Sequence, residues 1–408
     1  MEISQLLSAL DPELSRCIAQ EEQYQKNTLQ LIASESLQSE ETLLAAACAF
    51  ANRTAVGNIG NQRLKGAKYA DALEQLAADR ACRIFGADHA NLTPYSGSMA
   101  NFCAYGAVMQ PGDTALALDP AAGAHQSHGG AKNISSKMYR FSFFGLDRET
   151  LDIDYGEADR LARELHPKLI VVGSAAYPRK IDYARLSHIA HENGAYLMAD
   201  IAHFTGLVAA GLSPNPIPHA DIVTGSTTKT LCGPHSGFVM CSAALREAVE
   251  KSIYPGHVAS LHLQTVAAMA FALQQSQTPA FRKLMGRVVD NAQYLCKALE
   301  NRGFGIFTGG TDCHMFLADL TPFGIDGKFF ADLLEKAGIL VNSKALPFDK
   351  SPLPMGIRAG TTVLTQRGMG HGEMDEAADL LLALAKDPKC LETVKQKAQA
   401  LAMRFPEP

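Results

Sequence analysis

Ala220-Asp-Ile-Val-Thr-Gly-Ser-Thr-Thr-Lys-Thr-Leu-Cys-Gly-Pro-His-Ser-Gly237 changes character halfway along. Its apolar run, Asp221 to Val223, reads as a buried strand that empties into hydroxyl residues, then Lys229, then a Gly-Pro turn. The lysine therefore sits at a strand's exit. A solvated surface residue is the commonest role for a lysine. Small hydroxyl side chains around an amine at such an edge suit instead an aldehyde held as a Schiff base, with a phosphate nearby and Ser226 among the hydroxyls that would meet it.

Outward from this stretch the pattern alternates. An apolar run at 114–118 leads to a Gly/His loop at 123–130, a helix, and a second run at 168–173; a helix at 183–193, a strand at 195–200 and another at 237–241 follow. Such alternation predicts an α/β fold with a mostly parallel sheet covered on both faces, whose ligands bind at the carboxyl ends of its strands. Residues 1–30 read as an N-terminal helical arm of two helices running to about residue 31. Ile3, Leu6, Leu7 and Leu10 share a face there, and Asp11-Pro12-Glu13 restarts the chain. Residues 31–280 form the large domain, with a helix at 40–52, a glycine-bearing loop at 53–67 and a helix at 70–85. Residues 281–408 form a smaller C-terminal α/β domain that opens with a helix at 281–302.

The chain has 408 residues, enough for two domains and a sizeable core, with 47% hydrophobic and 19% charged residues. A net charge of −5 without a basic stripe argues against nucleic acid and anionic membrane as partners and favours small metabolites. No apolar stretch reaches bilayer length, and Met1-Glu-Ile-Ser-Gln-Leu-Leu does not read as a signal peptide. Nine scattered cysteines without C-x-x-C spacing predict free thiols in a reducing cytoplasm and no metal site.

Four further stretches carry chemistry. Ser96-Gly97-Ser98 precedes a helix, where backbone N–H groups, two hydroxyls and the helix dipole would face an anion; an ordinary N-cap fits the same pattern. Asp200-Ile-Ala-His203 closes an apolar strand, so Asp200 is a carboxylate in low dielectric that needs a partner, and a pyridinium N–H would hold it ionised. His203 could reach the phenolic oxygen of the same ring, or be a satisfied structural histidine. His125 and His128, in Gly123-Ala-His-Gln-Ser-His-Gly-Gly130, could stack on a flat ring, move protons, or form a solvated loop pair. Metal binding is the weakest option, since neither carboxylate nor thiol accompanies them. Arg358, in Met355-Gly-Ile-Arg-Ala-Gly-Thr-Thr362, suits a bidentate carboxylate clamp or a structural ion pair.

In combination, Leu31-Ile-Ala-Ser-Glu35, Ser96-Gly-Ser98, Asp200-Ile-Ala-His203, Gly206-Leu-Val-Ala-Ala-Gly211, Lys229-Thr-Leu, Gly309-Gly-Thr-Asp312 and Gly356-Ile-Arg358 resemble the serine hydroxymethyltransferase family almost end to end. These are pyridoxal-phosphate enzymes of the aspartate-aminotransferase-like fold type I. The resemblance implies that Lys229 is the Schiff-base lysine, Asp200 the pyridinium partner, His203 the phenolate neighbour and His125 the ring stacked on the cofactor. Ser96, Gly97 and Ser98 match the phosphate cradle, while Arg358 and Ser34 match the carboxylate contacts. It also implies a small amino-acid substrate, an aldehyde or one-carbon acceptor, and a homodimer whose partner completes each site.

The chain departs from the family pattern in a few places. For Lys-Tyr-Ala-Glu-Gly-Tyr-Pro-Gly-Lys-Arg-Tyr-Tyr-Gly-Gly it has Arg53-Thr-Ala-Val-Gly-Asn-Ile-Gly-Asn-Gln-Arg-Leu-Lys-Gly66. Val56 thus stands at the catalytic glutamate, and Thr54 and Leu64 at two tyrosines. Thr228 replaces a histidine, Cys232-Gly-Pro-His235 replaces Arg-Gly-Pro-Arg, and His257-Val-Ala-Ser260 replaces a Gln-Gly-Gly loop. Lys344 and Gln126 replace an asparagine and a leucine near folate, and Ala175 a serine. Losing a proton-transferring carboxyl at Cβ commonly costs about 10²–10⁴-fold. The sequence therefore predicts folate-independent aldolase or transaldolase chemistry on a small β-hydroxy amino acid, with His125 or His128 serving the β-hydroxyl. The alternatives are folate-dependent serine hydroxymethyl transfer, then racemisation, decarboxylation or β-substitution, and a non-catalytic homologue.

Overall fold

Asp11 caps the helix Pro12–Asn27, accepting from the Leu14 N–H at 3.0 Å with proline in the first turn. The computed structural model describes residues 3–349 and 351–406, so Glu2 of the expected arm, and the side chains of Ile3 and Leu6, lie outside the described residues. The two expected helices are present, Ile3–Leu10 and Pro12–Asn27, but the chain then leaves the helix for a short strand, β1 (Leu29–Gln30). The 40–52 segment divides into the helix Glu40–Ala46 and a 3₁₀ turn, Ala49–Asn52.

The expected loop at 53–67 contains a hairpin, β2 (Gly57–Asn58) with β3 (Asn61–Gln62). A β-carbon on Gly57 would stand 2.5 Å from the Asn61 carbonyl, so close strand approach, not flexibility, explains this glycine. Gln62 ties the hairpin to the next helix, Lys68–Phe85, donating to Asp71 at 3.0 Å and to Glu74 at 3.2 Å. Burial, then Asp71 and Glu250, push the Glu74 carboxyl up to about 8. A carboxyl raised in the fold keeps a proton that the unfolded chain has released. Stability is therefore expected to fall as pH climbs from about 4.5 towards about 8. Glu74→Gln should flatten that slope in melting curves taken across this range; an unchanged slope would assign it to other groups.

The central sheet follows: β4 (His89–Asn91), β5 (Thr114–Leu118), β6 (Arg140–Phe144), β7 (Leu169–Gly173), β8 (Tyr196–Asp200), β9 (Ile222–Ser226) and β10 (Gly237–Cys241). Among the described residues it has seven strands in the order β4-β10-β9-β8-β7-β5-β6. Strands β5 to β9 run parallel, and β10 is antiparallel to both β9 and β4. Every residue of β7, β9 and β10 is buried, as expected where helices cover both faces. The single helix expected between 130 and 168 is instead a short helix, the edge strand β6, and the helix Tyr155–Leu165. Arg140-Phe-Ser-Phe-Phe144 is partly exposed along most of its length, as an edge position allows.

The helix Pro279–Glu300 leads into a smaller antiparallel sheet. Its strands are β11 (Gly305–Ile306), β12 (Met315–Asp319), β14 (Asn342–Lys344) and β15 (Gly356–Gly360), ordered β11-β12-β15-β14, while β13 (Ile339–Leu340) pairs in parallel with β1. Leu29 and Leu31 lie in the same apolar core as Phe316, Phe330, Ile357 and Leu381. Arg367 reinforces this join, donating to the carbonyls of Lys26 and Thr28 and to those of Ala402 and Phe405. The first strand is thus built into the small domain. Among the described residues no helix is long and apolar enough to cross a membrane, and no group of three or more His, Cys, Asp or Glu could hold a metal.

Candidate active site

Strand β9 ends at Ser226, and the turn carrying Lys229 is pinned on several sides. Thr227 donates to the Pro234 carbonyl. Ser36 donates to the Thr228 carbonyl at 2.6 Å, and Thr230 donates to the His203 carbonyl at 2.9 Å while accepting from the Gly206 N–H at 3.0 Å. A β-carbon on Gly206 would lie 2.0 Å from the Thr230 carbonyl oxygen, so only glycine lets the helix Thr205–Ala209 approach this turn. The Lys229 amine makes no hydrogen bond or ion pair among the described residues. Burial lowers its pKa; Asp200 opposes that shift and Arg358 adds to it. A held amine without a protein partner, its basicity reduced, can act as a nucleophile.

Asp200 ends β8, one strand away, 5% exposed. One carboxylate oxygen accepts from the Ala202 N–H at 2.8 Å; the other meets Asn101 at 2.9 Å and His128 Nε2 at 3.1 Å. Burial by itself would raise this carboxyl, but the contact with His128, helped by the Asn101 hydrogen bond, outweighs it and holds the group ionised. Asn101 is fixed in turn by Thr224, which donates to its side-chain oxygen at 2.6 Å, and by Ser127, which accepts from its amide at 2.8 Å. Asn101, Ser127 and Thr224 were not singled out in the sequence. They sit on a helix, a loop and a strand, and no local spacing joins them.

The two loop histidines occupy different places. His128 is buried, with Nδ1 2.5 Å from the Tyr105 hydroxyl and Nε2 on Asp200, so both ring nitrogens are engaged by the protein. His125 is half-buried, and its Nδ1 is 2.7 Å from the Ser127 hydroxyl. Burial pulls its pKa down to about 4, so the ring is neutral at pH 7. His203 is buried against His314, Nδ1 to Nε2 at 3.3 Å with the rings stacked at 5.5 Å. His314 also reaches the Ala33 carbonyl at 3.1 Å.

Ser96 is the N-cap of the helix Gly97–Val108, accepting from the Met99 N–H at 3.2 Å, so the capping reading of this triplet holds for its side chain. Gly97 lies over the end of β9: a β-carbon there would be 3.4 Å from the Ser226 β-carbon. Ser226 Oγ lies 3.1 Å from the Thr228 hydroxyl. From β15, Arg358 donates to the Ala175 carbonyl and, at 2.7 Å, to Asn342, while its buried Nε has no partner among the described residues. Burial brings its pKa down to about 10. Ser34 lines a cavity of about 300 Å³ together with Thr228, His235 and Arg367, which Lys229 itself does not line.

This set fits a phosphorylated heterocyclic aldehyde. It offers an unpartnered amine, a helix N-terminus that approaches a strand end through glycine, a buried ionised carboxylate, and a guanidinium with an orphaned N–H. The chain matches the family model described as serine hydroxymethyltransferase over residues 7–381. It is 43% identical over 409 residues to a serine hydroxymethyltransferase of Koribacter versatilis, covering 99% of this chain and 96% of that protein. It is 42% identical over 405 residues to one of Acidobacterium capsulatum, covering 98% and 95%. These comparisons favour the hydroxymethyltransferase alternative over the folate-independent aldolase expected from the sequence.

Proposed function

Because the chain belongs to the serine hydroxymethyltransferase family and is a pyridoxal-phosphate-dependent enzyme, we propose that it moves the hydroxymethyl carbon between serine and a folate-type one-carbon acceptor, interconverting serine and glycine. The observation that carries this reading is the unpartnered Lys229 amine, set within electrostatic reach of both an ionised Asp200 and Arg358. The fold on this reading is the aspartate-aminotransferase-like type I.

Bound pyridoxal 5′-phosphate supplies an aldehyde for the amine and a protonated ring that takes up the electron pair freed at Cα. Lys229 would hold that aldehyde. The N–H groups of Gly97 and Ser98, with the hydroxyls of Ser96 and Ser226, would face the phosphate. Asp200 would keep the ring nitrogen protonated, His203 would sit at the phenolic oxygen, and the neutral His125 would lie against the ring. Arg358 and Ser34 would hold the α-carboxylate. His128, expected to serve the β-hydroxyl, is assigned instead to positioning Asp200. A homodimer is part of this reading, supported by large apolar side chains left exposed: Leu43 and Leu44 on the helix Glu40–Ala46, Ile59 in the 57–62 hairpin and Leu64 just after it.

Val56 favours a second reading. With valine where the family pattern carries its catalytic glutamate, aldol cleavage without folate remains the chemistry this site would retain. Glycine and aldehyde formation from L-serine and L-threonine, with and without tetrahydrofolate, separates the two. Serine turnover that requires tetrahydrofolate is the expected result. Aldehyde release from either substrate without it would favour the second reading, and no glycine under any condition would sink both.

A further inference from the structure

Arg358 has a neighbour of the same charge. In the register of the small sheet Asn342 faces Arg358 and Lys344 faces Gly356, so Lys344 and Arg358 are diagonal neighbours on one face. Diagonal pairs lie about 7–8 Å apart, within reach of two long side chains. This face looks towards the large domain, because Arg358 donates to the Ala175 carbonyl there. The opposite face, through Ile357 and Ala359, is packed into the small-domain core.

Among the described residues neither cation is neutralised: Arg358 meets only the neutral oxygens of Ala175 and Asn342, and its Nε has no partner. Lys344 is half-buried and makes no hydrogen bond or ion pair among the described residues. Burial and then Arg358 lower its pKa, and no carboxylate opposes them. Two partly desolvated like charges are costly unless a ligand brings negative charge. One α-carboxylate on Arg358 would answer only the first of them.

We propose that Lys344, beside Arg358, binds a second anionic group carried by the amino-acid substrate, so that the enzyme accepts β-hydroxy amino acids with a carboxylate or phosphate on or beyond Cβ. The proposal rests on the reading above, in which Arg358 holds the α-carboxylate. For a β-carboxylated substrate the retro-aldol step balances without any oxidant or reductant. The Cα–Cβ bond breaks, the β-hydroxyl loses its proton as its carbon becomes an aldehyde, and Cα gains a proton to give glycine. The released aldehyde retains the second carboxylate.

The test is a binding titration of the holoenzyme, followed by its visible absorbance, with glycine, L-serine, 3-hydroxyaspartate and O-phosphoserine. A dianionic ligand is expected to bind at least about tenfold tighter than serine, since a hydrogen bond to a charged group contributes about 1.5–3 kcal/mol and about 1.4 kcal/mol is tenfold. Lys344→Met should weaken the dianion about tenfold more than it weakens glycine, and Lys344→Arg should restore the difference. Preference for hydroxyaspartate assigns a carboxylate, and preference for phosphoserine a phosphate. Equal weakening of glycine and both dianions, or no preference for either dianion in the wild type, overturns the proposal. Failure of glycine and serine to bind the wild-type holoenzyme would instead sink the assignment of Arg358.

Discussion

Lys229→Ala is expected to lower serine turnover by at least about a thousandfold, because losing one placed proton-transfer group alone costs about 10²–10⁴-fold and on the proposed reading this amine also anchors the cofactor. The environment of the amine underlies that size. Burial lowers the pKa of Lys229, and among the described residues its ammonium has no carboxylate in salt-bridge contact, so the structure gains little from the charge. The surrounding turn is held by Thr227, Thr230 and Ser36 through contacts that do not involve the lysine side chain. The alanine variant should therefore fold with a melting temperature near that of the wild type while losing the visible absorbance of the lysine-bound cofactor. Retained absorbance together with retained turnover would remove Lys229 from the centre of the reaction.

The second large effect belongs to Asp200→Asn, expected to reduce turnover by about 10²–10³-fold, the usual cost of removing one preorganised charge aimed at the reacting centre. Asparagine keeps the shape but cannot hold a proton on a ring nitrogen opposite it. The structure invests heavily in this carboxylate: Asn101, His128 and the Ala202 N–H all serve it, with Thr224, Ser127 and Tyr105 behind them. A purely structural carboxylate would show its loss mainly in stability. Here the change should appear chiefly in kcat, with serine KM moved far less, because Arg358 rather than Asp200 is assigned to the substrate carboxylate. A variant with normal kcat and a collapsed melting temperature would make Asp200 a structural residue only.

Much of this arrangement is legible in the sequence because the parallel strands are short apolar runs closed by polar residues. Strands β5, β7, β8 and β10 fall at or within a residue of where those runs lie, β9 starts within a residue of its run but continues three residues past it to Ser226, and Lys229 and Asp200 follow from strand ends. The hairpin at 57–62 was hidden because its two-residue strands, Gly57-Asn58 and Asn61-Gln62, are too polar and short to show alternation. Strand β6 was absorbed into a helix because an edge strand need not be uniformly apolar. His128 resembled His125 in every local respect. What separates them is that one ring points inward to Tyr105 and Asp200, which lie 23 and 72 positions away. The Asn101–Ser127–Thr224 support was illegible for the same reason: hydrogen bonds between distant elements leave no periodic trace.

The pairing of Leu29 with Ile339 sets a timetable for the chain as it is made. Strand β1 pairs with residues made about 310 positions later, so at synthesis rates of about 5–20 residues per second it waits on the order of tens of seconds for its neighbour. Leu29 and Leu31, completely buried in the finished molecule, are left uncovered for that interval, while the central sheet has all of its own strands by Cys241. The large domain can therefore close first. The helix Leu391–Met403, which packs against Pro12–Asn27, joins the small-domain core later still.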